Sequence, residues 1–354
     1  MRFAIIGPPQ SGKSTLFSAL TGKPVDPSLA MNEQITSVMV PDSRLDFLAE
    51  QYKPKKYTQA HIEFVDIPGA SLADAHGQAE FRKRMQEARK CDGLVMVVRA
   101  FASDSVLEYR NRVNAKADLE EITTELLFAD LEQVVNRIEK LEKSTQKPSK
   151  TRDQELRELA MMQRVRQALE GEAPVLSAIQ NEDEHRIAAS FGFLTLKPVI
   201  VVINVGEDDV AAPPPFEYAH AKATIAMSAE IEAEIAQLSP ADRKAFLQDL
   251  GLEAPAGTRL IRTCYDAVGL ASFLTCGPDE VRAWTITKGM QAVEAAGKIH
   301  SDIQRGFIRA EVVAFEDLKA HEDMRGAKAA NKVRLEPKHY IVQDGDIINF
   351  RFNV

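Results

Sequence analysis

Residues 2–15 read Arg2-Phe3-Ala4-Ile5-Ile6-Gly7-Pro8-Pro9-Gln10-Ser11-Gly12-Lys13-Ser14-Thr15. The apolar start predicts a short buried strand, and the remainder predicts a turn and the first residues of a helix. The spacing is G-x-x-x-x-G-K-[ST], the phosphate-binding loop. Glycines let the backbone curl so that its N–H groups face a triphosphate, and the following helix adds its positive N-terminal end. The stretch therefore predicts an α/β domain of the P-loop type that binds a nucleotide.

The side chains of this loop have separate tasks. We expect Lys13 to reach the β- and γ-phosphates and Ser14 to be the protein's ligand of Mg²⁺, an ion that keeps most of its waters. The residues predicted to bind the nucleotide here are Pro9, Gln10, Ser11, Gly12, Lys13, Ser14 and Thr15. The loop by itself leaves kinases, ATPases and GTPases open.

A second predicted strand, over 61–65, leads into the D-x-x-G sequence that runs from Asp66 to Gly69. In P-loop enzymes such an aspartate accepts hydrogen bonds from Mg²⁺-bound water, and the glycine N–H senses the γ-phosphate. We therefore predict catalytic roles for Lys13, Asp66 and Gly69. The next residue is Ala70, where a glutamine would orient the attacking water, so hydrolysis has to be arranged by another group.

A base-reading motif is predicted after the strand at 199–203, where the chain reads N-V-G-E over 204–207. GTPases carry Asn-Lys-x-Asp at this place, and the aspartate accepts hydrogen bonds from two N–H groups of guanine that adenine lacks. Glu207 is one methylene longer and Val205 removes the lysine, so we favour ATP over GTP. The residues predicted at the base are Asn204, Val205, Glu207, Ser228 and Ala229.

Composition limits the remaining classes of function. The chain has 354 residues, more than one typical domain. Its net charge of −8, with a pI near 5.5, argues against a protein that coats nucleic acid through bulk charge. Cys91, Cys264 and Cys276 lie far apart and predict neither a disulfide framework nor a zinc site. No apolar run approaches the roughly 18 residues that span a bilayer, so we expect a cytoplasmic protein without a membrane partner.

A helical insertion is predicted between the strands at 93–98 and 199–203. Apolar residues recur at threes and fours over 119–141 and again over 156–169, which predicts an antiparallel pair of helices. The tip of the pair, over 143–152, carries four positive charges and no acid. A solvated loop and a phosphate-contacting finger for RNA are both open; the four residues are Lys143, Lys147, Lys150 and Arg152.

The predicted organisation is a nucleotide-binding domain over 1–118 and 191–268, the helical insertion over 119–190, and a small α+β domain over 269–354. Three further expectations concern single stretches. Residues 21–34, polar and proline-containing, are predicted as a nucleotide switch loop. The run 82–84 (Arg-Lys-Arg) is expected to be solvated, and residues 260–263 (Leu-Ile-Arg-Thr) are predicted as a strand.

With these motifs in place, the chain resembles the Obg-like ATPase family of the YchF type over its full length. The most specific matches are GPDEVRAWT (277–285), AAGKIHSD (295–302), RGFIRAE (305–311), VQDGD (342–346) and FRFNV (350–354). These stretches are similar to that family's TGS-type β-grasp domain. The resemblance implies a P-loop ATPase that also binds GTP more weakly, hydrolyses slowly, associates with ribosomal particles and acts as a regulatory switch.

The chain departs from the family pattern around the predicted site. The family's switch threonine, which caps Mg²⁺, aligns on Ala30, so Thr36 is the nearest threonine and the second candidate metal ligand. A histidine that the family uses near the attacking water aligns on Glu108, and Glu108 or His76 is the candidate replacement. Three functions stay open: a slow Mg²⁺-dependent ATPase switch, a nucleotide-gated ribosome-binding module with negligible turnover, and a GTPase.

Overall fold

The computed structural model describes residues 1–24, 33–210, 213, 215, 216 and 218–353. Most of the predicted switch loop, including Ala30, lies outside these residues. The chain divides into two compact units, Met1–Thr36 with Glu63–Gly257 and Ser37–Ile62 with Thr258–Val354. No helix in the described ranges is long and apolar enough to cross a membrane.

The described residues form the following strands and helices, each series numbered in chain order. The strands are β1 (Arg2–Ile6), β2 (Gln34–Met39), β3 (Lys56–Thr58), β4 (His61–Asp66), β5 (Gly93–Arg99), β6 (Val199–Asn204), β7 (Ala221–Met227), β8 (Leu270–Thr275), β9 (Glu280–Thr287), β10 (Phe307–Val313), β11 (Arg334–Glu336) and β12 (Ile347–Phe352). The helices are α1 (Lys13–Thr21), α2 (Ser43–Tyr52), α3 (Ala75–Arg89), α4 (Ala115–Thr145), α5 (Arg152–Glu170), α6 (Glu182–Ser190), α7 (Ala229–Gln237), α8 (Pro240–Asp249), α9 (Ala256–Ala267), α10 (Ala292–Ile299), α11 (Ser301–Arg305), α12 (Phe315–Ala320) and α13 (Met324–Ala329).

The first sheet has the strand order β2-β4-β1-β5-β6-β7. Strand β1 pairs in parallel with β4 and β5, and β6 pairs in parallel with β5 and β7. Strands β5 and β6 are buried along their whole length, as expected for parallel strands covered on both faces. The predicted α/β nucleotide-binding fold is confirmed, and the carboxyl ends of these strands lie at one edge of the sheet.

Helix α4 packs into two hydrophobic clusters. Near its start, Leu119 and Ile122 belong to the core that covers the first sheet. Further along, Val134 packs with Met162 of the following helix, α5. The predicted apolar periodicity is confirmed, but α4 begins at Ala115 and enters the core of the nucleotide unit. The division of 119–190 as a domain of its own stays a prediction.

The second sheet has the order β11-β10-β12-β8-β9-β3. Strand β10 is antiparallel to β11 and β12, β8 is antiparallel to β9, and β12 is parallel to β8. Helix α10 contributes Ala292 and Ala295 to the same hydrophobic cluster as Phe273 and Val312 of the strands. This mixed sheet and helix bear out the predicted α+β character of the C-terminal residues. Its assignment to the TGS type stays a prediction.

Strand β3 changes the division of the chain that the sequence suggested. It pairs in parallel with β9, with Tyr57 opposite Val281, so residues 37–62 group with the C-terminal residues. The predicted nucleotide-binding domain had included them. A strand of three residues has too short a pattern to be recognised, and its partner lies far along the chain.

The predicted strand over 260–263 is wrong, because these residues lie within α9. Leu260, Ile261, Cys264 and Tyr265 are all buried. Their spacing of one, three and one places them on a single face of a helix, whereas a half-buried strand would alternate.

A buried ion pair joins α3 to α4. Asp130 is fully buried, and its Oδ1 atom lies 2.7 Å from Nη1 of Arg89, whose side chain is 11% exposed. The same carboxylate accepts hydrogen bonds from the backbone N–H groups of Leu194 and Thr195, at 3.0 and 2.8 Å. Because each oxygen has a donor, the carboxylate holds two helices and the segment before β6 together.

We expect Asp130→Ala to lower the free energy of unfolding by about 3–5 kcal/mol, because it leaves a buried guanidinium without its carboxylate. It also removes the acceptor of two backbone N–H groups. Urea unfolding of the purified chain measures the effect. The control is Asp183→Ala, which removes an exposed carboxylate paired with Arg186 at 3.4 Å and should leave the urea midpoint unchanged. Equal midpoints for both variants would contradict the structural role of Asp130.

Candidate functional site

The predicted site residues meet at the carboxyl edge of the first sheet. In the strand register, Ile5 of β1 lies opposite Asp66 of β4, and Arg99 of β5 lies opposite Asn204 of β6. The phosphate-binding loop follows β1 directly and ends at α1. Parallel pairing therefore brings together motifs that are separated by up to two hundred residues of sequence.

The loop is held in a tight conformation. Gly12 has φ +92°, and a Cβ atom added there would lie 2.1 Å from Nδ2 of Asn204. Gln10 also has a positive φ, +61°, which is uncommon for a residue with a side chain. Gly12 is the N-cap residue of α1, so the helix start faces the predicted phosphate position. Thr15 follows in the first turn of α1.

Lys13 is buried, with 6% of its surface exposed, and its Nζ atom donates a hydrogen bond of 2.7 Å to the carbonyl oxygen of Pro8. Burial lowers the pKa of this ammonium group from its ordinary value to about 8. The carboxylate of Asp66 opposes the shift, and the positive charge of Arg84 adds to it. The lysine is thus held beside the loop in an environment that disfavours its charge until an anion is present.

Ser14 and Asp66 form the polar end of the site. The Ser14 hydroxyl donates a hydrogen bond of 2.9 Å to Oδ2 of Asp66. Asp66 is 4% exposed, and its Oδ1 atom is buried without a hydrogen-bond partner among the described residues, as is the hydroxyl of Ser11. Burial raises the pKa of the Asp66 carboxyl, while the Ser14 hydrogen bond and Lys13 lower it. A hydroxyl and an acidic oxygen without a partner fit a hydrated divalent cation such as Mg²⁺.

Gly69 lies against the loop, and Arg84 holds it there. A Cβ atom on Gly69 would be 2.8 Å from Nζ of Lys13 and 2.9 Å from the backbone nitrogen of Pro9. The Gly69 carbonyl oxygen accepts a hydrogen bond of 2.9 Å from Nη1 of Arg84. The expectation that residues 82–84 are all solvated is therefore wrong for Arg84, whose side chain is 15% exposed. Its position three residues after the buried Phe81, on the same helix face, was the available signal.

Asn204 braces the loop from inside. It is buried, its Nδ2 atom donates to the carbonyl oxygen of Ser11 at 3.0 Å, and its Oδ1 atom accepts from the N–H of Ala229 at 2.9 Å. Both ends of the amide therefore bond to the protein backbone. The structure places Asn204 between the phosphate-binding loop and the start of α7.

The other residues predicted at the base are placed differently from one another. Glu207 is exposed and begins a short 3-10 helix, Glu207–Asp209. Ser228 is the N-cap residue of α7 and accepts from the N–H of Ile231 at 3.4 Å. The side chain of Val205 is buried in the core, so only its backbone is available to a nucleotide. Among these residues, Glu207 is the one with a carboxylate, and its role in reading the base stays a prediction.

Thr36, Glu108 and His76, the candidates taken from the family resemblance, make no hydrogen bond to Ser14 or Asp66 among the described residues. The hydroxyl of Thr36 accepts a hydrogen bond of 3.4 Å from Lys23. Glu108 and His76 are exposed, and no hydrogen bond between described residues joins either of them to the phosphate-binding loop. Their predicted roles as a metal ligand and as water-activating groups stay predictions.

Two family models match the chain. Residues 2–137 match a model described as a 50S ribosome-binding GTPase, and residues 270–353 match the C-terminal model of the YchF GTPases, described as a protein of unknown function.

Curated proteins and a solved structure match nearly the whole length. The ribosome-binding ATPase YchF of Bacillus subtilis is 40% identical over 363 residues, covering 99% of this chain and 98% of that protein. Obg-like ATPase 1 of Xenopus laevis is 34% identical, covering 100% and 92%. The structure of the Schizosaccharomyces pombe YchF GTPase superposes with a TM-score of 0.84 at 28% identity, covering 99% of this chain and 97% of that one.

The lowered pKa of Lys13 predicts a pH dependence of nucleotide binding. Above pH 8 the amine of Lys13 is largely neutral in the free protein, whereas a bound triphosphate favours the ammonium form. Binding of the nucleotide should therefore be accompanied by the uptake of at most one proton. The affinity for a non-hydrolysable ATP analogue should then fall by up to about tenfold per pH unit above pH 8. Calorimetric titrations at pH 9 in two buffers of different ionisation enthalpy measure the uptake.

The control for this titration is Lys13→Arg, whose guanidinium stays charged throughout this pH range. It should bind the analogue without taking up a proton. A binding enthalpy of the wild-type chain that is independent of the buffer at pH 9 would contradict the lowered pKa.

Proposed function

The chain belongs to the family of YchF and Obg-like ATPases, and from this membership we propose that it binds ATP with Mg²⁺ and hydrolyses it slowly as a regulatory switch on ribosomes. Two relatives that match this chain over 98% of their own length are named ribosome-binding ATPases. Association with ribosomes would place the protein in the cytoplasm.

One observation carries the nucleotide-binding part of the proposal. The Ser14 hydroxyl meets Asp66 beside the buried Lys13, and the second oxygen of Asp66 has no partner among the described residues. Ser14 and Asp66 would hold the metal ion, with Lys13 on the β- and γ-phosphates. When bound, the ion neutralises charge on the phosphate oxygens. Gly69, which lies close to Lys13, would respond to the γ-phosphate.

Base selection supports ATP over GTP. The amide of Asn204 makes one hydrogen bond at each end, with the backbone of Ser11 and Ala229, and carries no negative charge, so we expect discrimination to depend on the carboxylate at 207. Glu207 extends the guanine-reading carboxylate by one methylene, and a displaced carboxylate leaves two guanine N–H groups without acceptors. Adenine has neither group and loses nothing. The names of the relatives include both nucleotides, so the distinction rests on these residues.

The proposal of slow hydrolysis is supported by the two residues that could have oriented the attacking water. Ala70 is buried and has no group that could orient a water molecule. Glu108 is exposed, without a hydrogen bond to the loop in the described part of the chain. The same two observations favour a second candidate function, a nucleotide-gated ribosome-binding module with negligible turnover.

The test is a titration followed by a turnover assay. A non-hydrolysable ATP analogue with Mg²⁺ should bind at least about tenfold more tightly than its GTP counterpart, because unpaired guanine donors cost about one hydrogen bond's net energy. ATP turnover should then exceed that of Lys13→Ala. A turnover rate equal to that of Lys13→Ala would contradict the ATPase proposal and favour the nucleotide-gated binding module. Tighter binding of the GTP analogue would instead indicate that the protein is a GTPase.

The ribosome contact can be tested at the tip between α4 and α5. Lys143, Lys147 and Lys150 are exposed, whereas Nε of Arg152 donates to the carbonyl oxygen of Thr145 at 2.9 Å and supports the turn. We propose that the three lysines contact RNA phosphates. Their joint replacement by Ala should weaken binding to purified ribosomes and reduce the slope of log affinity against log salt by about 2–3.

A matched variant removes three other exposed lysines of the same unit, and the positions are Lys116, Lys222 and Lys244. It changes the net charge equally, so its binding and salt dependence should stay close to those of the wild type. If both triple variants lose affinity to the same extent, the tip is a solvated loop.

A further inference from the structure

Arg84 is a charged group at the phosphate end of the site that no sequence motif identifies. Its Nη1 atom donates to the carbonyl oxygen of Gly69 at 2.9 Å, and its Nε atom donates to Oε1 of Glu80 at 3.1 Å. The side chain is 15% exposed, so it is held against the protein. Phe81 and Met85 on the same helix are buried and fix the backbone that carries it.

The guanidinium keeps donors for another acceptor. An arginine has five N–H groups, and the two hydrogen bonds of Arg84 to described residues use two of them, which leaves three. The carbonyl that it holds belongs to Gly69, where an added Cβ atom would lie 2.8 Å from Nζ of Lys13 and 2.9 Å from the backbone nitrogen of Pro9. Arg84 is therefore anchored to the residue that contacts the phosphate-binding lysine.

The charges around this point favour an anion. Arg84 and Lys13 both lie at Gly69: Arg84 donates to its carbonyl oxygen at 2.9 Å, and a Cβ atom on Gly69 would lie 2.8 Å from Nζ of Lys13. The carboxylate of Asp66 is hydrogen-bonded to Ser14. Two cations held so close repel each other in the free protein, and a phosphate group between them would remove that repulsion.

We propose that Arg84 is a catalytic residue that donates hydrogen bonds to the γ-phosphate and stabilises the charge that develops there during hydrolysis. The inference rests on the proposed ATPase function. In that reaction the oxygen of water forms a bond to the γ-phosphorus, and the bond from this phosphorus to the bridging oxygen breaks with its electron pair left on ADP. One proton of the water stays on the oxygen that joins inorganic phosphate, and the other passes to a phosphate oxygen or to solvent.

An arginine in this place supplies a positive charge beside the γ-phosphate in addition to that of Lys13. Ala70 has no polar side chain, and the exposed Glu108 makes no hydrogen bond to the phosphate-binding loop within the described residues. A guanidinium, in contrast, can follow phosphate oxygens with a fixed planar set of donors. Since Arg84 is bonded to the Gly69 carbonyl, closure of Gly69 on the γ-phosphate would carry the guanidinium with it. Positive charge delivered in this way acts mainly in the transition state.

The test compares Arg84→Ala and Arg84→Lys with the wild-type chain. We expect Arg84→Ala to lower kcat for ATP about 100-fold or more, while KM and the affinity for a non-hydrolysable ATP analogue stay within about threefold. Arg84→Lys should recover only part of kcat, because an ammonium cannot reproduce the planar donors. Arg84→Ala should also lose the ability to retain ADP with aluminium fluoride, a mimic of the transferring phosphate.

The matched control is Arg82→Ala, which removes an arginine on the same helix that pairs with Glu125 at 3.4 Å. Its kcat and its retention of ADP with aluminium fluoride should equal those of the wild type.

Three outcomes would overturn the inference. If Arg84→Ala weakens analogue binding as much as it lowers turnover, Arg84 only anchors Gly69. If wild-type turnover is measurable and Arg84→Ala leaves it unchanged, the inference fails while the ATPase function stands. If wild-type turnover equals that of Lys13→Ala, the proposed function fails, and the role of Arg84 fails with it.

Discussion

Parallel pairing of β1 with β4 and β5 is the constraint on which the nucleotide site depends. It places the end of the first strand beside Asp66, so the hydroxyl that follows Lys13 reaches a carboxylate over fifty residues away in sequence. The extension of the same sheet to β6 brings Asn204 beneath the loop. None of these groups would meet if the strands were antiparallel, because their chemically active ends would then lie at opposite edges.

The buried amide of Asn204 connects two separate parts of the candidate site. By bonding to the loop at Ser11 and to the start of α7 at Ala229, it fixes the distance between the phosphate-binding loop and this helix. A buried amide that is hydrogen-bonded to the backbone at both ends contributes rigidity. The proposed choice of base would then depend on Glu207, on an exposed segment where a change of one methylene costs little stability.

The parts of the site that could be predicted from the sequence are those formed by residues close together in the chain. The phosphate-binding loop, the D-x-x-G sequence and the buried strands are local patterns, and the structure has the corresponding loop and strands. The pairing of β3 with β9 was not predictable, because three residues carry no usable period. Arg84 was missed because a charged residue on a helix is usually solvated, and its contact with the Gly69 carbonyl depends on how α3 packs. Residues 260–263 were misassigned because four residues cannot separate a period of two from one of 3.6.

Helix α4 has a mechanical consequence. It runs unbroken for 31 residues, with its first turns fixed in the core that covers the nucleotide-binding sheet and its last turns at the lysine-rich end of the helical pair. At 1.5 Å per residue it is a lever of about 46 Å, so a tilt of about 5° at its base displaces the far end by about 4 Å. A movement beside the γ-phosphate could be transmitted to α4 through α3 and the Arg89–Asp130 pair. Even if that movement were smaller than the length of one hydrogen bond, the far end of α4 would then move by about the distance between two neighbouring side chains.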